Sequence, residues 1–426
     1  MSAEFTRAML LRERGRHTEA VATVLSHLAH QPEDAHAFIE LALNRMELPG
    51  QLALALADAK TATGLMPGDA FPLALQARIL VQLEKPKPAL ALAESALALD
   101  PESGYAWNTK CLALIGESNW KSAEACARNA LSLDADDATA SNLLAHVLRL
   151  QNRLDESEAE ANRRLARDPE NAFSFANAGW AALQRGDIAV AEGHFKESLR
   201  IDPQMEYARD GLKESYRARS AFYRMFLKWA FFMQRFSQSN RMAIIIGMIF
   251  GFKILRVLAA SIHPLLVIPI ALAYYLFLFG SWLSGGIANF LMLRDPVARL
   301  ALDPAEKVEG GVIGVLFFGG IMALVVGFAV EIHPIAVIGG VMVLATLPAS
   351  MIFTNPSQKG RIVFSLIGVT VLVLGIIMAL DVAAHPGREI VADRSSTYFT
   401  YLILLVASSS WLGMLDSLRK QDPRLK

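Results

Sequence analysis

Asn108 and Asn142, 34 residues apart, are the side chains here whose type and spacing first suggest chemistry. A carboxamide both donates and accepts hydrogen bonds, so a column of them can hold an extended backbone without selecting its side chains. Tyr105, His146, Arg149 and Asn177 lie close enough in register to join such a surface. The competing reading is a pair of solvated polar residues on an exposed helix face. A second group is Lys253 and Arg256, set in an apolar stretch. Ionisable groups in that setting pair, reach the bilayer edge or line a path for protons or anions. His263 in SIHP and His333 in EIHP could sense protons or bind metal, but their Pro-marked context reads as turns at a membrane surface. Cys111 and Cys126 have no His or Cys cluster around them and read as small buried thiols of a reducing compartment.

Bond-making constellations are missing from the sequence. There is no glycine-rich phosphate loop ending in Lys-Ser/Thr, no H-E-x-x-H and no paired-cysteine metal spacing. FGSWLSGG (279–286) lacks the G-x-S-G nucleophile of rhomboid-type intramembrane proteases, and DADDA (134–138) reads as a solvated turn. We therefore expect no enzyme, no metal and no cofactor. The 41 basic residues balance the 41 acidic ones, so bulk charge suggests no nucleic-acid partner.

The elements that must carry these side chains repeat. LALDP, LSLDA, LARDP and LRIDP place Asp100, Asp134, Asp168 and Asp202 at intervals of 34 and end at Pro101, Ala135, Pro169 and Pro203, with Pro67 another 34 upstream of Pro101 and Pro32 a further 35 back. A row of small residues (Ala20, Ala55, Ala89, Ala123, Ser157, Ala191) stands twelve residues before Pro32, Pro67, Pro101, Ala135, Pro169 and Pro203, and a second row holds Ala77, Cys111, Ala145 and Gly179. Trp107 and Phe175 lie four residues before two members of that second row. Each unit reads as two apolar-periodic helices, brought close by small residues and ended by a proline turn.

This small–large–small pattern resembles the tetratricopeptide repeat (TPR) family, over residues 1–205 as six repeats. Arg164 and Ser198, in place of an alanine, and Leu43, in place of a small residue, depart from it. The resemblance implies an all-α solenoid whose concave surface binds a protein or peptide. The basic clamp that the family's co-chaperones use for terminal carboxylates is missing, since Ala74, Asn108 and Leu112 stand at the corresponding positions.

The second half is a different material. The chain is 53% hydrophobic and 19% charged, and after residue 242 charges nearly vanish. Apolar stretches near 242–261, 264–291, 311–330, 335–353, 361–380 and 398–415 approach the roughly 20 residues that a span needs. Lys253 and Arg256 weaken the first, which could dip in without crossing. With six spans, one side receives Arg294, Arg299, Lys307, Lys359, Arg361 and the cations of the 419–426 tail. The other receives Arg388 and Arg394, balanced by Glu389 and Asp393. Positive loops face the cytoplasm, and the N-terminus shows no signal-peptide pattern. The expectation is a multi-pass inner-membrane protein with both termini cytoplasmic. Gly247 and Gly251 of GMIFG could allow close helix contact.

Between the halves, segment 206–241 begins as a cap on the last repeat. At 100° per residue, Arg217, Arg224, Lys228 and Arg235 form a basic stripe opposite Phe222, Phe226, Trp229, Met233 and Phe236. Such a helix lies along a bilayer surface, its cations near anionic head groups; the alternative is a purely capping helix. The sequence is thus read as a TPR solenoid (1–205), an interfacial segment (206–241), a polytopic α-helical membrane domain (242–418) and a tail (419–426). That order, with the connector LRDPVARLALDPAEK (293–307), is similar to bacterial multi-pass proteins with N-terminal TPR arrays. The expected function is a membrane-anchored scaffold for a cytoplasmic protein or peptide. A small transporter or channel regulated by its repeats is the alternative.

Overall fold

The computed structural model describes residues 3–385 and 394–412. The 419–426 tail and the loop charges Arg388, Glu389 and Asp393 lie outside the described residues. Every regular element among the described residues is a helix. The chain divides into two units by internal packing. One comprises residues 1–208 with 231–243; the other comprises 209–230 with the residues from 244 onward.

In the first unit six helical hairpins follow one another: α1 (Ala3–Glu13) with α2 (His17–His30), α3 (Ala35–Met46) with α4 (Leu52–Leu65), and α5 (Ala70–Gln82) with α6 (Pro86–Leu99). Then come α7 (Gly104–Gly116) with α8 (Trp120–Leu133), α9 (Ala138–Leu150) with α10 (Leu154–Arg167), and α11 (Ala172–Arg185) with α12 (Ile188–Ile201). Ala20, Ala55, Ala89, Ala123, Ser157 and Ala191 are all fully buried, because at these points a second helix lies too close for a larger side chain. At Gly179 the constraint is direct: a Cβ would sit 2.8 Å from the Phe195 ring.

Two turn devices set the period. Between repeats, Asp34, Asp69, Ser103, Asp137 and Asn171 cap the first helix of the next hairpin with side-chain oxygens on backbone N–H groups. Asp100, Asp134 and Asp202 each accept from the N–H two residues on, which explains the recurring aspartate. Within repeats, Gly15, Gly50, Glu84, Ser118, Asn152 and Gly186 take positive φ at the hairpin bend. Three of these are not glycine, so the αL turn was invisible in the sequence pattern. Ser198 departs from the family's alanine and uses its hydroxyl, 2.8 Å from the Ala172 carbonyl.

The second unit contains part of α13 (Glu206–Arg217), most of α14 (Ala221–Gln234) and the apolar helices, the first of them from Ile244 onward. These are α15 (Gln238–Ile262), α16 (Val267–Leu293), α17 (Pro304–Gly314), α18 (Gly320–Ala329), α19 (His333–Thr354), α20 (Gln358–Ala384) and α21 (Arg394–Leu412). A π-helical stretch, Val315–Gly319, joins α17 to α18 as one continuous rod. Among the described residues, four helices are long and apolar enough to cross a membrane: Asn240–Ile262, Pro304–Ala329, His333–Thr354 and Gln358–Ala384. Helices α16 and α21 fall on the two other expected stretches.

Glycine governs contact here as well, though not at the motif that the sequence suggested. Nothing lies within 4 Å of a Cβ built on Gly247 or Gly251. Instead a Cβ on Gly310 would lie 2.9 Å from the Asn289 backbone and one on Gly314 would run into the Phe290 ring, so α17 packs backbone-close on α16.

Candidate functional site

In the solenoid, a concave pocket of about 450 Å³ opens where three residue rows converge. One row is Arg78, Leu112 and His146; another is Thr139, Phe173 and Tyr207; a third is Leu143 and Asn177. Asn142 and Ile115 complete the wall. Within each row the spacing is 34, so successive first helices present the same register position to the same space.

Of the six residues expected to form a groove, the structure brings Asn142, His146 and Asn177 together on this wall. Asn142 is tied into the next repeat. Its Oδ1 accepts from Ser174 Oγ at 2.9 Å, its Nδ2 donates to Asn171 Oδ1 at 3.3 Å, and its carbonyl accepts from Asn177 Nδ2 at 3.1 Å. Asn108 makes the equivalent bond, Nδ2 donating to Asp137 Oδ2 at 2.6 Å, but it is buried and away from the pocket. At that position the expected ladder is an internal staple, holding the cap residue of the following helix. Tyr105 packs on Phe71, ring centroids 5.1 Å apart; burial raises its pKa, and the Arg78 charge opposes the rise.

Arg149 lies behind the pocket. It is only 5% exposed, stacks over the Trp180 ring at 5.6 Å and donates from Nη1 to Gln184 Oε1 at 3.3 Å; its Nε has no hydrogen-bond partner. Tyr207 sits against His146, Phe173 and Trp180, with its hydroxyl 3.2 Å from His146 Nδ1. Burial, and secondarily the Arg149 charge, depress the His146 pKa to about 3, so the ring is neutral at ordinary pH. Phe173 is 53% exposed, a large apolar side chain presented at the rim.

The sequence reading missed Arg78, Phe173 and Tyr207. The signal was available: Arg78 shares its row with His146, and Phe173 and Tyr207 share theirs with Tyr105. What could not be seen is which rows face the concave side.

The expected interfacial residues separate. Arg224, Lys228 and Arg235 are exposed, and Trp229 is half-buried. Phe226 is buried, its ring filling the space where a Cβ of Gly280 would lie. Arg217 is enclosed by protein: it donates to Glu214 at 2.7 Å, to Glu306 at 2.9 Å and to Asn289 Oδ1 at 2.9 Å. Lys213 reaches Asp303 at 3.2 Å and Glu306 at 3.4 Å, while Asn289 passes the network on to Glu309 at 3.1 Å. Burial disfavours the Arg217 charge, but Glu214, Tyr223 and Glu306 more than offset it, so the guanidinium holds its proton unusually firmly. Arg217 is therefore unavailable to head groups. A smaller cavity of about 290 Å³ borders Arg217, Arg219 and Asp295, with Arg219 and Asp295 paired at 2.7 Å.

Lys253 and Arg256 are exposed on α15, Lys253 lying 5.9 Å from the Phe250 ring centre. His263 is exposed between α15 and α16 and His333 is exposed at the first residue of α19, and His263 Nδ1 accepts from the Leu265 N–H at 3.2 Å. Among the described residues no three His, Cys, Asp or Glu side chains gather where a metal ion could be held.

Residues 108–172 match the profile of the tetratricopeptide repeat family. The solenoid is a tetratricopeptide repeat array. Solved structures similar to the chain include YrrB, described as a TPR protein with an unusual peptide-binding site, at 24% identity. That alignment covers 45% of this chain and 97% of YrrB, with a TM-score of 0.32. A thermophilic TPR protein of Thermus thermophilus aligns at 18% identity over 42% of this chain and 98% of its own, TM-score 0.40. A repeat protein from Parabacteroides merdae aligns at 16% identity over 56% and 95%, TM-score 0.42. Comparison with curated proteins gives no match. The TPR array is joined in one chain to the apolar helices described above, and its repeats support a protein–protein interaction scaffold.

Proposed function

We propose that this protein is a membrane-anchored TPR scaffold, holding a protein or peptide at the cytoplasmic face of the inner membrane. The observation that carries the reading is one chain combining an open concave pocket in the repeats with four helices able to cross a bilayer. Six crossings with both termini inside fit the positive connectors: Arg294, Arg299, Lys307, Lys359 and Arg361 are exposed at helix ends. Arg224, Lys228 and Arg235 add cations for anionic head groups. Lys253 on an exposed helix surface offers no support for a path through the helices, so transport is not the favoured reading.

The test is site-specific photo-crosslinking in intact membranes, with the probe at Phe173 or at the exposed Arg128 of α8, which pairs with Glu124. A discrete adduct from the Phe173 position alone is expected. Equal labelling from both positions, or recovery of the protein in the aqueous fraction without detergent, would sink the proposal.

A further inference from the structure

Two cations at the TPR pocket have no counter-ion among the described residues. Arg78 stands on the wall, half-buried, and no ion pair involves it there. Arg149 is buried behind His146 and Tyr207 with an unmatched Nε and, among the described residues, no carboxylate within ion-pair distance. None of the ten lining residues is acidic. The carboxylate nearest in register, Asp137, is committed to Asn108 and to the N-terminus of α9. Elsewhere in the array, guanidiniums find carboxylates: Arg12 with Glu40, Arg45 with Asp58, Arg153 with Glu124. A buried charge without a partner is costly, and a cleft lined by one sign of charge between low-dielectric walls concentrates the opposite sign. The same pocket presents apolar surface at Leu112, Ile115, Leu143 and Phe173.

We propose that the pocket takes an acidic, leucine- or phenylalanine-bearing peptide segment of a partner protein. Its carboxylate sits on Arg78 in the field of Arg149, and its apolar side chain sits between Leu112, Ile115 and Phe173. A guanidinium–carboxylate contact of this kind is roughly twice as strong as a neutral hydrogen bond and fixes orientation. The exposed aromatic at the rim supplies the anchor that such interfaces concentrate their energy on. Neutral His146 and Tyr207 remain able to hydrogen-bond the backbone between these two points. The inference rests on the scaffold reading above and deepens it by naming the partner's chemistry.

The experiment uses the full chain in detergent micelles and fluorescence anisotropy of three labelled peptides. One alternates aspartate with leucine, one carries asparagine in place of aspartate, and one carries lysine. The aspartate peptide is expected to bind about tenfold more tightly than the asparagine peptide, a preference that fades as salt is raised. Arg78→Met should erase the preference while Arg78→Lys keeps part of it, with circular dichroism showing both variants folded. Phe173→Ala should weaken the aspartate and asparagine peptides alike. Equal binding of aspartate and asparagine peptides, unchanged by Arg78→Met, overturns the acidic preference and leaves the scaffold reading intact. No binding of any peptide, with Phe173 adducts absent from membranes as well, overturns both. A dimer that no peptide dissociates would assign the pocket to a second copy of this chain and also overturn the proposal.

Discussion

Arg149 in the repeats and Arg217 in the second unit are the same side chain in opposite electrostatic circumstances. Arg217 is half-buried and well matched, with Glu214, Glu306 and Asn289 on its donors. Arg149 is buried more deeply and has a ring face, one carboxamide, the Tyr207 hydroxyl and an idle Nε, but no carboxylate among the described residues. A cation surrounded by its counter-charges is part of the framework. One left unmatched beside an open pocket gives up stability and keeps its charge available for something that arrives later. The difference separates the two regions: the α13–α17 network holds helices together, while the TPR pocket keeps an unmatched cation, as the proposed acidic partner requires.

The largest expected effect tests that contrast directly. Arg217→Ala strips half-buried Glu214 and Glu306 and buried Asn289 of their partner and should cost about 3 kcal/mol, seen as a lowered unfolding midpoint in micelles. Arg149→Met replaces an unmatched charge with a hydrophobe of similar volume and should stay within about 1 kcal/mol of the parent. Comparable losses for the two variants would break the distinction.

Asn108→Ala comes next. It frees the Asp137 carboxylate and should cost about 1–2 kcal/mol, while peptide binding at the pocket stays unchanged. A binding defect without a stability defect would return Asn108 to the groove.

Acid titration sharpens the picture of the pocket interior. His146 is depressed from 6.5 to about 3 in the fold, so the unfolded chain binds the extra proton between those values. Its neutral form therefore favours folding above the unfolded pKa, and that contribution is lost as pH falls from 6.5 toward 3. His146→Gln should flatten this part of the stability–pH profile, and an identical profile for parent and variant would count against a neutral ring on the pocket wall.

The smallest effect concerns the hairpin bends. Ser118 holds φ at 57°, so Ser118→Gly should stabilise the array by about 0.5–1 kcal/mol in thermal melts. Destabilisation would mean that the serine contributes more than its strained backbone costs.

Much of the TPR array could be read in advance because its signals are local and repeated. Alanine at Ala55 or Ala123 announces a close helix contact wherever it recurs with the period, and Asp134 or Asp168 announces a turn. The apolar stretches were equally legible, since hydrophobic length alone states what a helix can cross. Residues with two uses were not. Asn108 and Asn142 share a register position, yet one is a hidden staple and the other faces a pocket. Arg217 shares a helical stripe with Arg224 and Lys228, yet Glu306, 89 positions downstream, captures it. GMIFG carried the familiar glycine spacing, whereas the close approach belongs to Gly310 and Gly314, whose partners on α16 no local pattern identifies.

Element type, period, caps and the apolar character of the second half are properties of short windows, where neighbouring residues supply every term of the energy. Which cation is neutralised, which asparagine stays accessible and which glycines touch a helix depend on groups distant in the chain and near in space. Burial converts such meetings into large energies, because a charge removed from water is either matched by a neighbour or left seeking one.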